Sequence, residues 1–353
     1  MEEGSTAAVR KKAWPERFLG WMWPLLVLAC VGWSLVVLEG KLEAEASSDP
    51  VVRALLDEGP FASDVQVIWD AIADKLSLIP TNGYALAALS ALLAYAALAW
   101  YDRIALKHLG RQGSVSVSFT CLCSFVSYAL GHNIGASVVS GGAVRLRAYA
   151  AQGLSKTEVA GLIAFCSLTF VLGAALLLGL TLAWDPALAA PLTDRLPAGL
   201  LPDWLIRAAA MVTLALCGLY VAAAFRGAKT LCIGRFRLDY PKPAVVLQQL
   251  VAGPLELLGA AAIIYFALPA EGNPGFVTVL GAFLISFCVG LLSQVPGGMG
   301  VMEAVFLALM PDLPATGVVA ALLVWRLFYL LLPLAVSAPI ILAYEGRQWL
   351  RSA

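Results

Sequence analysis

The sequence predicts an all-α polytopic membrane protein with about eight transmembrane helices, two short re-entrant half-helices and an inverted repeat. Three observations lead there. Of 353 residues, 61% are hydrophobic and 13% charged, whereas soluble domains carry roughly 45–50% apolar and about 25% charged residues. Apolar runs of spanning length recur along the chain. Near Gly141-Gly142 and Gly297-Gly298, glycine pairs break apolar sequence that then resumes in short pieces.

The first run, Phe18–Leu38, follows Arg10, Lys11, Lys12 and Arg17. Its full spanning length makes residues 1–38 a cytoplasmic N-terminus with an uncleaved first helix rather than a leader. Residues 39–82 are acidic. Within them Val65, Ile68, Trp69, Ile72, Ala73 and Leu76 recur at helical spacing between Asp64, Asp70 and Asp74. That pattern predicts a helix on the outer membrane surface or one capping the bundle.

Residues 83–353 form the transmembrane core. Its long runs are Tyr84–Trp100, Val115–Ala136, Val159–Ala183, Trp204–Phe225, Ala244–Leu268, Phe276–Val295 and Val318–Tyr344. Two pieces, Ala143–Ala151 and Val301–Met310, reach only about 14–16 Å as helices, half of a hydrocarbon core of roughly 30 Å.

Charge orients these elements. Arg103, Lys107 and Arg111, the segment Arg226–Lys242, and Arg347 with Arg351 belong in the cytoplasm with both termini. Between Glu39 and Asp74 nine acids outweigh Lys41 and Arg53, and between Asp185 and Asp203 three acids outweigh Arg195, so both segments belong outside. Eight simple crossings contradict that assignment. Two returns at the short pieces restore it. The stretch Val139–Arg147 aligns with Val295–Glu303, placing Arg147 opposite Glu303, and the units around 83–183 and 244–345 begin on opposite sides. This is the pattern of an inverted repeat, whose substrate site lies at the repeat interface.

Ionisable groups at membrane depth are costly and mark candidate sites. These are Arg145, Arg147, Glu256, Glu303 and Arg326; Arg207 lies near a helix end and snorkels. A half-helix starting after each glycine pair offers unpaired N–H groups to an anion. Gly141, Gly142, Gln294, Pro296, Gly297 and Gly298 therefore join Arg145 or Arg147 as a phosphate site, with Glu303 or Glu256 on an ammonium group. Arg145 and Arg147 lie about 200° apart on a helix, so one of them pairs within the protein. The bland alternative is that Glu303 and Arg326, or Glu256 and an arginine, merely neutralise each other. His132 and Asn133 are a candidate proton relay, although a lone histidine is more often a packing residue. Ser140 with His132 makes a poor hydrolase site. Cys30, Cys121, Cys123, Cys166, Cys217, Cys232 and Cys288 suit apolar packing better than disulfides or zinc. No nucleic acid, cofactor or metal is expected.

Several stretches together resemble a known family. Tyr101-Asp102-Arg103-Ile104-Ala105-Leu106 is similar to its Tyr-Asp-x-x-Ala-Leu motif, and Ser140–Tyr149 with Gly153-Leu154-Ser155 to its Ser-Gly-Gly-x-x-Arg-x-Arg-x-Tyr stretch. Leu292–Glu303 and Leu322–Pro333 resemble two later signatures, with Met299 and Met302 where Leu and Phe are more usual. The family is the transmembrane region of bacterial lysylphosphatidylglycerol synthase/flippase, the multiple peptide resistance factor. The resemblance implies a plasma-membrane lipid flippase linked to antimicrobial-peptide resistance, moving aminoacylated phosphatidylglycerol or a related phospholipid between leaflets. The soluble synthase domain is not expected in this chain, which makes transport more natural than enzymatic chemistry. The alternatives are a membrane subunit or fragment of such a synthase, working with a separately encoded enzyme, and a small-solute or ion transporter.

Overall fold

The computed structural model describes residues 72–134, 137–193, 201–233, 236–293 and 295–352. The expected first helix, most of the acidic outer segment and Gln294 lie outside these residues, while residues 72–78 are helical.

Helix α1, Thr81–His108, starts after Pro80 and runs without a break. Helices α2, Val117–Ile134, and α3, Ser137–Ala150, pack along each other. Helix α4, Lys156–Trp184, opens on a capping box: Ser155 Oγ accepts the Glu158 N–H, and Glu158 accepts the Ser155 N–H. This reciprocal pairing satisfies two otherwise orphaned donors. Short helical turns at Pro186–Ala189 and Ala190–Thr193 lead toward α5, Asp203–Phe225.

The basic segment beyond α5 folds into an antiparallel ribbon, β1 Thr230–Ile233 and β2 Phe236–Asp239. Among the described residues this ribbon is the one non-helical element, and the all-α expectation did not include it. Helix α6, Pro243–Ala267, starts on a proline, where no intrahelical N–H is lost. Helix α7, Phe276–Ser293, is followed by a 3-10 turn, Pro296–Gly298, and then by α8, Val301–Leu309. Last come α9, Ala315–Arg326, a π-helical turn, Leu327–Leu331, and α10, Leu332–Ser352.

Among the described residues six stretches are long and apolar enough to cross a membrane: α1, α4, α5, α6, α7 and the continuous Ala315–Ala343. The chain is a multi-pass membrane protein. Helix α2, the expected third span, is not among the six; it forms a pair with α3 instead.

The second break lies where the sequence placed it, with Gly297, Gly298 and Gly300 at φ 61°, 62° and 79°. Only glycine enters that left-handed region cheaply. The first break is displaced. Helix α3 begins at Ser137, not Ala143, and passes straight through Gly141 and Gly142. At Gly141 the missing side chain permits contact instead: a Cβ there would stand 2.7 Å from the Ser127 carbonyl oxygen of α2.

Close approach of backbones also organises the centre. Between membrane helices, small residues supply the packing that hydrophobicity cannot. A Cβ on Gly259 would meet Ser90 O at 2.9 Å, and one on Gly83 would meet Phe266 O at 2.8 Å, so α1 and α6 run antiparallel in tight contact. On the far side of α6, a Cβ on Gly253 would meet Thr169 O at 2.7 Å and Gly173 Cα at 2.9 Å in α4. Each unit repeats the same partners: α1 with α2 as α6 with α7, α2 with α3 as α7 with α8, α3 with α4 as α8 with α9.

Gly253→Ala is therefore expected to push α4 from α6, at a cost of about 1–3 kcal/mol. It should lower the thermal transition of the detergent-solubilised protein, whereas Gly218→Ala, in the interior of α5 where a Cβ meets nothing within 4 Å, should hold or slightly raise it.

Candidate functional site

Two arginine–carboxylate pairs lie inside the bundle among the described residues. Arg145, 4% exposed, points from α3 to Asp102 of α1, which is fully buried. Its Nη2 donates to Asp102 Oδ1 at 2.8 Å and its Nε to Oδ2 at 3.2 Å. Tyr149 Oη donates to Oδ2 at 2.8 Å, and Cys166 Sγ to Oδ1 at 3.4 Å. The guanidinium also sits 4.4 Å above the Tyr128 ring of α2, a cation–π contact. Arg145 thus pairs within the protein, with its guanidinium committed to Asp102. Asp102 was missed as an intramembrane charge because it stands beside Arg103 near a helix end and reads as a membrane boundary; its place in the Tyr101-Asp102 motif was the available signal.

Arg147 lies on the other side of α3 and is exposed. It lines a groove of about 530 Å³ between α2, α3 and α10, together with Phe119, Leu122, Val126, Val144 and Ile340. The remaining lining residues, Cys123, Ala143, Ala148, Ile341 and Ala343, add no charge. Gly142 is buried nearby in α3, against Ile163 of α4.

At the second break, Glu303 and Arg326 satisfy each other. Arg326 Nε donates to Glu303 Oε1 at 2.6 Å, and Arg326 Nη1 to the Gly297 carbonyl at 3.1 Å. The second carboxylate oxygen of Glu303 accepts the Gly300 N–H at 2.8 Å, closing the start of α8. Glu303 is therefore a cap and a counter-ion, rather than an open seat for an ammonium group. The bland expectation holds for this pair.

It fails for Glu256. This carboxyl, 1% exposed on α6 just past Gly253-Pro254, has no arginine partner among the described residues. Its neighbours are phenols: Tyr329 Oη donates to Oε1, and Tyr101 Oη lies 3.5 Å from Oε2. From these a ring of side chains closes. Tyr101 meets Tyr128 edge-on at 6.4 Å, Tyr128 meets His132 at 5.6 Å, and His132 stacks on Tyr329 at 5.2 Å. Composition singled out Glu256 and His132 but gave no sign of the tyrosines, which become a group only when α1, α2, α6 and the π turn meet.

The end of α2 meets the break at Gly297. The His132 carbonyl lies 3.9 Å from where a Cβ on Gly297 would stand. Asn133 Nδ2 donates to Leu330 O at 3.0 Å, and Tyr95 Oη to Tyr329 O at 3.0 Å. A π turn leaves carbonyls without the usual helical partner, and these two side chains take them. Ser140 lies within α3, and no group of metal-ligating residues occurs among the described residues.

No family model matches the chain. It is 32% identical to "Uncharacterized protein slr0712" of Synechocystis over 72% of this chain and 77% of that protein. It is 27% identical to the inner membrane protein YbhN of Escherichia coli over 80% of this chain and 86% of its relative. A local stretch of 85 residues is 35% identical to phosphatidylglycerol lysyltransferase of Staphylococcus haemolyticus, covering 23% of this chain and 10% of that protein.

Removing one partner of a buried ion pair leaves the other charge stranded, at a cost of about 3–5 kcal/mol. Arg145→Ala should therefore reduce folded yield and thermal stability severely. The double variant Asp102→Asn with Arg145→Gln should recover part of the loss, measured by size-exclusion profile and thermal melt in the same detergent.

Proposed function

We propose that this chain, which belongs to the family of the Synechocystis protein slr0712, is a membrane lipid translocase or lipid-binding transporter. The observation that carries the reading is the groove between α2, α3 and α10, whose described lining is apolar apart from Arg147. A concave apolar site with one cation suits an amphiphile bearing acyl chains and an anionic head, and a guanidinium pairs well with phosphate. The substrate class is therefore a phosphate-bearing lipid, with phosphatidylglycerol and its aminoacylated forms as the first candidates. The mixed-charge headgroup expected from Glu303 and Glu256 loses its basis, since those carboxyls are engaged away from the groove.

Antiparallel α1 and α6 with recurring partners support reading the two units as an inverted repeat. In that arrangement α2–α3 and α7–α8 are re-entrant pairs, with the end of α2 against the break at Gly297. Both termini face the cytoplasm by the distribution of Lys and Arg. A second reading follows from the local likeness to a phosphatidylglycerol lysyltransferase: the chain assists lipid aminoacylation by a separate synthase. In that case cells lacking it would contain less aminoacylated lipid, with unchanged leaflet distribution.

The test is reconstitution into liposomes carrying labelled phosphatidylglycerol, lysylphosphatidylglycerol or phosphatidylethanolamine, followed with a membrane-impermeant quencher. Lipid should cross faster than in protein-free liposomes, and Arg147→Gln should slow it at least severalfold. Equal rates with and without protein sink the translocase reading. An Arg147→Gln protein as fast as the wild type removes the groove arginine from the site.

A further inference from the structure

A charged group inside hydrocarbon needs a counter-ion, and among the described residues the bundle supplies one for two of the carboxyls on its inner helices. Asp102 has Arg145 and Glu303 has Arg326. Glu256, more deeply placed than Glu303, has none among the described residues. From α1 it is faced by Tyr95 and Tyr101, from α2 by Tyr128 and from the π turn by Tyr329. Helices α4, α5, α7 and α9 bring it no charged or titratable partner among the described residues. An isolated buried carboxylate costs far more than a neutral one, and such a group takes up a proton instead.

The hydrogen-bond geometry agrees. Tyr101 has one hydroxyl hydrogen, yet two acceptors lie in reach of it: Gly253 O at 3.4 Å and Glu256 Oε2 at 3.5 Å. Gly253 O also accepts the Leu257 N–H one turn on in α6, so the phenol hydrogen can serve either acceptor. If Oε2 carries a proton, that proton is donated to Tyr101 Oη, Tyr101 donates to Gly253 O, and Tyr329 donates to Oε1. Every group is then satisfied.

We propose that Glu256 is a proton-binding site at the centre of the fold, seated by Tyr101 and Tyr329 and neutral in the conformation described here. Binding and release involve one proton: the Oε2–H bond breaks, the electron pair stays on the carboxyl, and the proton leaves to water or to another base. His132 is the base in the same ring of side chains. It stacks on Tyr329, and its Nδ1 is buried without a partner. Release takes away the hydrogen that Tyr101 Oη accepts and leaves a negative charge against the Tyr329 hydroxyl, a residue whose backbone carbonyl Tyr95 holds in the π turn. The protonation state thus bears directly on the segment joining α9 to α10, and α10 forms a wall of the groove.

Infrared difference spectroscopy of the full chain in lipid bilayers tests this without any transport assay, so its outcome is separate from that of the lipid reading. Wild-type protein should show the carbonyl stretch of a protonated carboxyl at neutral pH, fading as the pH is raised. Glu256→Gln should lose that band. Tyr329→Phe should keep it but shift it to higher frequency, because one hydrogen bond to Oε1 is gone. Tyr329→Phe also guards against the case in which the Gln variant fails to fold. A wild-type spectrum with ionised carboxylate alone from mildly acidic pH upward overturns the proposal. So does a band that persists unchanged in folded Glu256→Gln, or that is unmoved in folded Tyr329→Phe.

Discussion

The Arg145–Asp102 pair is the contact on which the first half of the bundle depends. Neither group has water to fall back on, so each fixes the other, and the helices that carry them follow. Four donor contacts from three side chains converge on one carboxylate, from α3 through Arg145 and Tyr149 and from α4 through Cys166. Tyr128 beneath the guanidinium adds α2. The α2–α3 pair is thereby held against α1. The end of α2, with His132 and Asn133, is delivered to the π turn as a result.

The two arginine–carboxylate pairs work differently. Asp102–Arg145 is dry, and its four donor contacts leave little of the carboxylate unused. Glu303–Arg326 is partly exposed, with side-chain exposures of 22% and 13%, and spends its spare hydrogen-bonding capacity on backbone. Glu303 caps Gly300, while Arg326 holds Gly297 O. This meets the demand that broken backbone in a membrane be satisfied by protein. The glycines make the turn possible, and the ion pair makes it tolerable.

Much of this was legible in the sequence, for identifiable reasons. Rare charges in apolar runs singled out Glu256, Glu303, Arg326 and Arg145, because hydrocarbon filters such residues so strongly. The angle between Arg145 and Arg147 foretold that they would part company. Glycine was the ambiguous letter. At Gly297-Gly298 it marks a left-handed backbone, whereas at Gly141-Gly142 it marks a helix surface shaved for contact, and the residue type is the same in both. Tyr101 and Tyr329 stood in motif-like stretches, yet their role was hidden, since a phenol in an apolar run looks like packing until a carboxyl from a distant helix arrives beside it. The ribbon at Thr230–Asp239 was hidden behind its charge, which served well for orientation and said nothing of strand pairing.

The π turn at Leu327–Leu331 carries a consequence for how the last helix is addressed. A widened turn amounts to one residue inserted into an α-helix, and each residue is worth about 100° of rotation. Side chains before it and after it are therefore dialled to different bearings: Arg326 toward the Gly297 turn, Ile340 and Ile341 toward the groove. The last long helix is in effect two half-shafts meeting at an offset coupling, and Tyr329 is the tooth that seats it. Shortening this stretch by one apolar residue would leave composition, hydropathy and length almost untouched, yet turn the groove wall by more than a quarter of a circle.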